Sequence, residues 1–190
     1  MSHRYSLRSI RPRSEALARG CVGLVAVAML CSACLVPPYP KDPRFATFTY
    51  ETDESVKVQE RVDSFNGRIP KLGATEGHVV VARFRDGSWI PAPDYQYWLT
   101  GVATVPDTTT TLLVDNSADG SSLLPGIHPI LYKYVPEECS FTAVDPTVAN
   151  TILGTDQNDI YSEWGSFTIT AFAVSADCNL IIVTGDGINA

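Results

Sequence analysis

The chain is poor in the residues that most often carry chemistry. Histidine occurs three times in 190 residues, and His78 and His128 are the two beyond the first 33. Each stands alone among apolar neighbours. There is no H-E-x-x-H and no Cys–His cluster, so nothing in the pattern supports a zinc site. Serines are plentiful, but no G-x-S-x-G or S-x-x-K accompanies them, and no glycine-rich phosphate loop occurs. No C-x-x-C begins at or after Cys34, which argues against thioredoxin-like redox work. Helix signals are few, and there is no internal repeat or low-complexity tract. No cofactor is implied.

Positive charge is scarce and misplaced. Lys and Arg number 14 against 21 Asp and Glu, for a net charge of −7. Residues 1–33 hold five arginines (Arg4, Arg8, Arg11, Arg13, Arg19) and one acid, Glu15, a net +4, so the remainder carries −11. Such a body repels phosphate backbones, which excludes nucleic acid as a natural partner. It also has little grip of its own on anionic headgroups.

The arginines precede an uncharged stretch, CVGLVAVAML (Cys21 to Leu30), and then small residues, Ser32 and Ala33. Charged, apolar, small is the order of an export signal. Three readings follow: cleavage before a lipidated Cys34, cleavage after Ala33 with free release, or retention of the uncharged run 20–36 as a short membrane span. Cysteine arithmetic favours the first. Processing at residue 34 removes Cys21 and Cys31, and three remain. Free release leaves Cys34 as an odd thiol, whereas lipidation uses it and lets Cys139 and Cys178 pair. Cys31-Ser32-Ala33-Cys34 resembles the lipobox of bacterial lipoprotein precursors. It departs from that pattern at Cys31, where an aliphatic residue is usual. The resemblance implies diacylglycerol on the Cys34 sulfur, a bilayer anchor, and an address in the bacterial cell envelope outside the cytoplasm.

From this follow three segments: a signal peptide over 1–33, a tether over 34–44, and a single extracytoplasmic domain over 45–190. The tether, CLVPPYPKDPR, holds four prolines, which favour an extended chain of about 3.1 Å per residue. The domain has ordinary single-domain length. Its dominant period is two. In GHVVVARFRD (77–86), Val80, Ala82 and Phe84 share one face, and Val79, Val81, Arg83 and Arg85 the other. Strands are also expected at FATFTYE (45–51), DYQYWLTGVAT (94–104), TTTTLLVD (108–115), IHPILYKYV (127–135) and SFTAV (140–144), with a hairpin over 164–187. The fold class is mainly β, an antiparallel sandwich or barrel with one or two short helices. DPTVANTILG is the best helix, with Asp145 as N-cap, Pro146 opening it and Gly154 past its end. Residues 52–67 fit either period.

Few residues offer themselves as a site. Cys139 and Cys178, each beside a strand, are expected to form a disulfide. DNSADG alternates Asp115, Ser117 and Asp119 like half a calcium loop, but Gly126 stands where the bidentate acid belongs, so a plain turn is the simpler reading. Tyr95 and Tyr97, and Tyr132 and Tyr134, are each two apart. On strands, each pair projects from one face about 7 Å apart. Trp98 and Gln96 then face the other way, with Trp89 near the Asp86-Gly87 turn. These rings either form a binding face for a sugar or peptide, or fill the core. The functional expectation is a membrane-anchored lipoprotein serving as a non-enzymatic binding or accessory module for an envelope protein or glycan. The alternatives are a secreted hydrolase whose acids or histidines converge in the fold, and a scaffold subunit of an envelope membrane complex.

Overall fold

The computed structural model describes residues 41–85, 94–117 and 123–189. The signal, Cys34, most of the tether, Trp89 and Asp119 lie outside them. Six strands form one antiparallel sheet: β1 (Gln59–Glu60), β2 (Glu76–Arg83), β3 (Tyr95–Thr104), β4 (Thr142–Val144), β5 (Ser166–Ser175) and β6 (Leu180–Asn189), in the order β1-β2-β3-β6-β5-β4. The mainly β, antiparallel expectation holds, but not its closure. The described residues form a single open sheet, neither rolled into a barrel nor faced by a second sheet.

Helices and chain, rather than a second sheet, bury its two faces. On the first face, Val79, Leu99, Ile169, Phe172, Ile181 and Val183 pack under α1 (Asp63–Asn66), α2 (Asp107–Asp115) and α3 (Pro146–Leu153). Phe65 of α1 is fully buried there. A Cβ on Gly77 or on Gly101 would stand 2.4 Å from its ring, so these two strand glycines are what let α1 sit so close. On the second face, Val80, Ala82, Trp98, Val102 and Ile182 pack against Phe45, Phe48, Ile127 and Leu131. Both faces of β2 follow the alternation read from its sequence.

Two expected strands are helical. TTTTLLVD is α2. Pro106 cannot donate to a ladder, so the β3 direction ends there, and Thr110 and Leu113, three apart, turn inward together. Packing outweighs the β-propensity of four threonines. IHPILYKYV is a 3-10 helix, Pro129–Tyr134, opened by Pro129 and capped by His128, whose Nδ1 accepts from the Ile130 N–H at 3.4 Å. FATFTYE is extended yet joins the sheet nowhere. It forms one parallel bridge, Phe45 with Leu124, and lays Phe45, Phe48 and Tyr50 on the second face.

The other expected elements are present. α3 has Asp145 Oδ1 accepting from the Thr147 and Val148 N–H groups at 2.8 and 3.3 Å, and Gly154 ends it at φ 75°. Those two bonds also hold the Asp145 carboxyl below its ordinary pKa. β5 and β6 are the expected hairpin. The Cys139–Cys178 disulfide ties its turn to the approach of β4. Residues 52–67 divide between β1 and α1. Among the described residues, no helix is long and apolar enough to cross a membrane.

Candidate functional site

The four tyrosines do not share a face. Tyr97 is 2% exposed on the helix-covered side. Its hydroxyl accepts from Arg68 Nε and faces the Trp164 and Ser166 carbonyls as donor, each at 3.1 Å. Burial, opposed by the Arg68 charge, raises its pKa. Tyr95 stands at the rim, 36% exposed, beneath the Arg83 guanidinium. Tyr132 and Tyr134 belong to the opposite side. Tyr132 stacks on Phe45 at 4.3 Å, and Tyr134 stacks on His78 at 3.6 Å. Their segment is a 3-10 helix, so the strand parity that would have aligned them never applies. Core packing is the role the geometry assigns to Tyr97, while Tyr132 is half-buried against the second face.

The histidines are packed as well. His128 lies against Phe48 and Trp98, and burial lowers its pKa. Asp115 ends α2, and Ser117 turns its hydroxyl back to the Val114 carbonyl at 2.8 Å. Among the described residues, no group of three or more His, Cys, Asp or Glu side chains is arranged to hold a metal ion.

A different feature stands out. Among the described residues the cover on the second face stops at Tyr50, and beyond it the sheet carries a groove of about 330 Å³ lined by Phe84, Gln96, Thr168, Thr170, Asp186 and Ile188. Ser166 and Gly187 complete it. Strand register builds the floor: Gln96, Ile188 and Ser166 form one cross-strand row, and Trp98, Asp186 and Thr168 the next. Deeper in the sheet the same parity carries Val102 and Ile182. Here it turns to amide, hydroxyl and carboxylate.

A β-bulge shapes one wall. The register of β5 against β6 shifts between Ile169 and Ala171, leaving Thr170 as the extra residue. Bulges re-aim side chains in this way. Thr170 Oγ1 lies 3.1 Å from the Thr184 carbonyl and 3.0 Å from the Tyr50 hydroxyl, which also reaches the Asp186 carboxylate. Tyr50 holds its proton firmly. Burial, and then the neighbouring Asp186 carboxylate, push its pKa up to about 12. Asp186 Oδ1 is buried without a hydrogen-bond partner, and so is Nε1 of Trp98, its neighbour across the ladder. Leftover buried polar atoms of this kind are uncommon and call for an explanation.

The groove was legible only in part. Gln96 drew attention beside the tyrosines, but Asp186 and the Ser166-Thr168-Thr170 comb did not. The available signal was parity: apolar Leu180 to Val183 gives way to Thr184 and Asp186 within one strand. No family model, characterised protein or solved structure matches this chain.

Proposed function

We propose that this protein is an envelope lipoprotein, anchored through lipid on Cys34, whose β-domain holds a partner or envelope component in the sheet-face groove without transforming it. The observation that carries the binding reading is the composition of the groove. Its described lining has one ionisable group, Asp186, among an amide, three hydroxyls and apolar walls. Hydrolysis by paired carboxylates, or by a nucleophile with its base, needs a second such group within reach. A lone carboxylate amid neutral donors and acceptors suits orientation of a ligand. The anchor is supported by the sequence and by bookkeeping. Cys139 and Cys178 are joined, so Cys34 has no cysteine left to pair with beyond the signal.

The test is purification of the full-length protein in mild detergent, wild type beside Thr168→Arg. Thr168 is exposed in the groove, so arginine fills it without disturbing the core. The wild type is expected to carry an envelope component that the variant loses. Equal capture by both would place the binding surface elsewhere and favour a scaffold role. In parallel, Cys34→Ser is expected to move the protein to the soluble fraction. A wild-type N-terminal peptide that lacks lipid mass on Cys34 defeats the anchor.

A further inference from the structure

We propose that the sheet-face groove is a site for a neutral saccharide, an inference that rests on the binding reading above and names its ligand class. The lining rejects the other classes one by one. Among the described residues of the lining, anions find no cation. Arg83 is paired with Glu54 and lies over Tyr95, and Arg85 is paired with Glu51 and Asp53. Asp186 repels them besides. An extended peptide is recognised by adding to a sheet edge, but the floor is made by β3, β6 and β5, of which β3 and β6 are paired on both sides along it. The nearby edge of β5 is stopped at Ile169, whose N–H and C=O both bond the Asn150 side chain, at 2.8 and 2.9 Å. A purely apolar ligand would strand the Gln96 amide and the hydroxyls without water.

A saccharide satisfies this lining. Strands lie about 4.8 Å apart, and alternate residues along a strand about 7 Å apart. The polar groups thus sit on a grid at the scale of a sugar ring. Gln96 and the Ser166 and Thr168 hydroxyls each donate and accept, as sugar hydroxyls do. Asp186 accepts only, and a charge-assisted bond from a sugar hydroxyl is among the stronger ones available. Phe84, half-buried, and Ile188, exposed, give apolar walls for the C–H faces of a ring. The groove volume of about 330 Å³ lies at the small end of the ~300–1,000 Å³ usual for small-molecule sites, which fits a short oligosaccharide segment. Thr170 and Tyr50 are already bonded to each other and serve as a fixed wall rather than as contacts.

The intact protein, in a zwitterionic detergent free of sugar groups, is titrated calorimetrically with the tetrasaccharides of β-1,4-glucose, α-1,4-glucose and β-1,4-N-acetylglucosamine. Tetragalacturonate and tetra-alanine are the comparisons. At least one neutral sugar is expected to saturate, and neither comparison ligand is. Asp186→Asn is expected to weaken that binding roughly tenfold or more while the melting temperature holds or rises, because the substitution removes a half-buried carboxylate that lacks a full set of partners. Thr168→Arg is expected to abolish it. If no neutral tetrasaccharide binds with a Kd below about 10 mM, the ligand class is wrong. Should partner capture still depend on Thr168 in that case, the binding module stands with a different ligand. A lower melting temperature for Asp186→Asn with unchanged sugar affinity would make Asp186 structural and overturn its role here.

Discussion

Asn150 gives the sharpest test of how the sheet is terminated. β4 covers the outer edge of β5 only over Phe172–Val174. Below that, α3 brings Asn150 to the edge, and its side-chain amide stands in for a neighbouring strand. Nδ2 donates to the Ile169 carbonyl at 2.9 Å and to the Pro146 carbonyl at 2.7 Å, Oδ1 accepts from the Ile169 N–H at 2.8 Å, and the Thr155 hydroxyl also bonds Oδ1. Asn150→Leu keeps the branched shape and removes all of these. Ile169 is 1% exposed, so water cannot replace the lost partners without opening the edge. Two buried backbone groups left unsatisfied cost about 1–3 kcal/mol each, and a total near 4 kcal/mol is expected. For a domain of this length that lowers the melting temperature by about 10 °C. Asn150→Asp retains the acceptor and should fall between. Thermal denaturation followed by near-UV circular dichroism measures the shift, and hydrogen exchange at the Ile169 amide locates it. The bared edge should also promote association in size-exclusion chromatography. A melting temperature within about 2 °C of wild type, with the Ile169 amide still protected, would refute the reasoning.

Tyr97→Ala should cost about 3–5 kcal/mol, as a buried aromatic truncation does, while Tyr95→Ala at the rim should cost under about 1 kcal/mol; equal shifts in chemical denaturation would contradict the placement of the two rings. Non-reducing peptide mapping should find Cys139 joined to Cys178, and replacing both with serine should lose up to about 4 kcal/mol for a closed loop of this length; free alkylation of both thiols in the untreated protein would reject the bond. His128 titrates more readily unfolded than folded, because burial lowers its native pKa. Its stabilising contribution is therefore complete above the unfolded value of 6.5 and declines as pH falls through the lower native one. His128→Gln should flatten the decline in melting temperature between neutral and mildly acidic pH, and an unchanged slope would argue against it.

Local chemistry was enough to read several elements. Alternation in GHVVVARFRD sorted its residues correctly between two faces, because side chains on a strand must alternate. Asp145, Pro146 and Gly154 delimited α3, because capping and the left-handed turn depend on a few adjacent residues. Cys139 and Cys178 paired by elimination once export and lipidation were assumed. Propensity misled where proline intervened. Pro106 and Pro129 turned β-branched and aromatic runs into helices, and Tyr132 and Tyr134 went with the second.

Only tertiary structure decided what the faces meet. Period two says that a strand has two sides, not whether a helix, a second sheet or water lies over each. Here α1, α2 and α3 take one side, while an extended segment and a 3-10 helix take most of the other, so a single open sheet suffices. Among the described residues, the groove exists because that cover ends at Tyr50. Its floor draws on β3, β5 and β6, segments far apart in sequence, whose register brings Gln96, Ser166 and Ile188 into one row and Asp186 and Thr168 into the next. Register and coverage are long-range properties set by packing, and no local pattern of residues contains them.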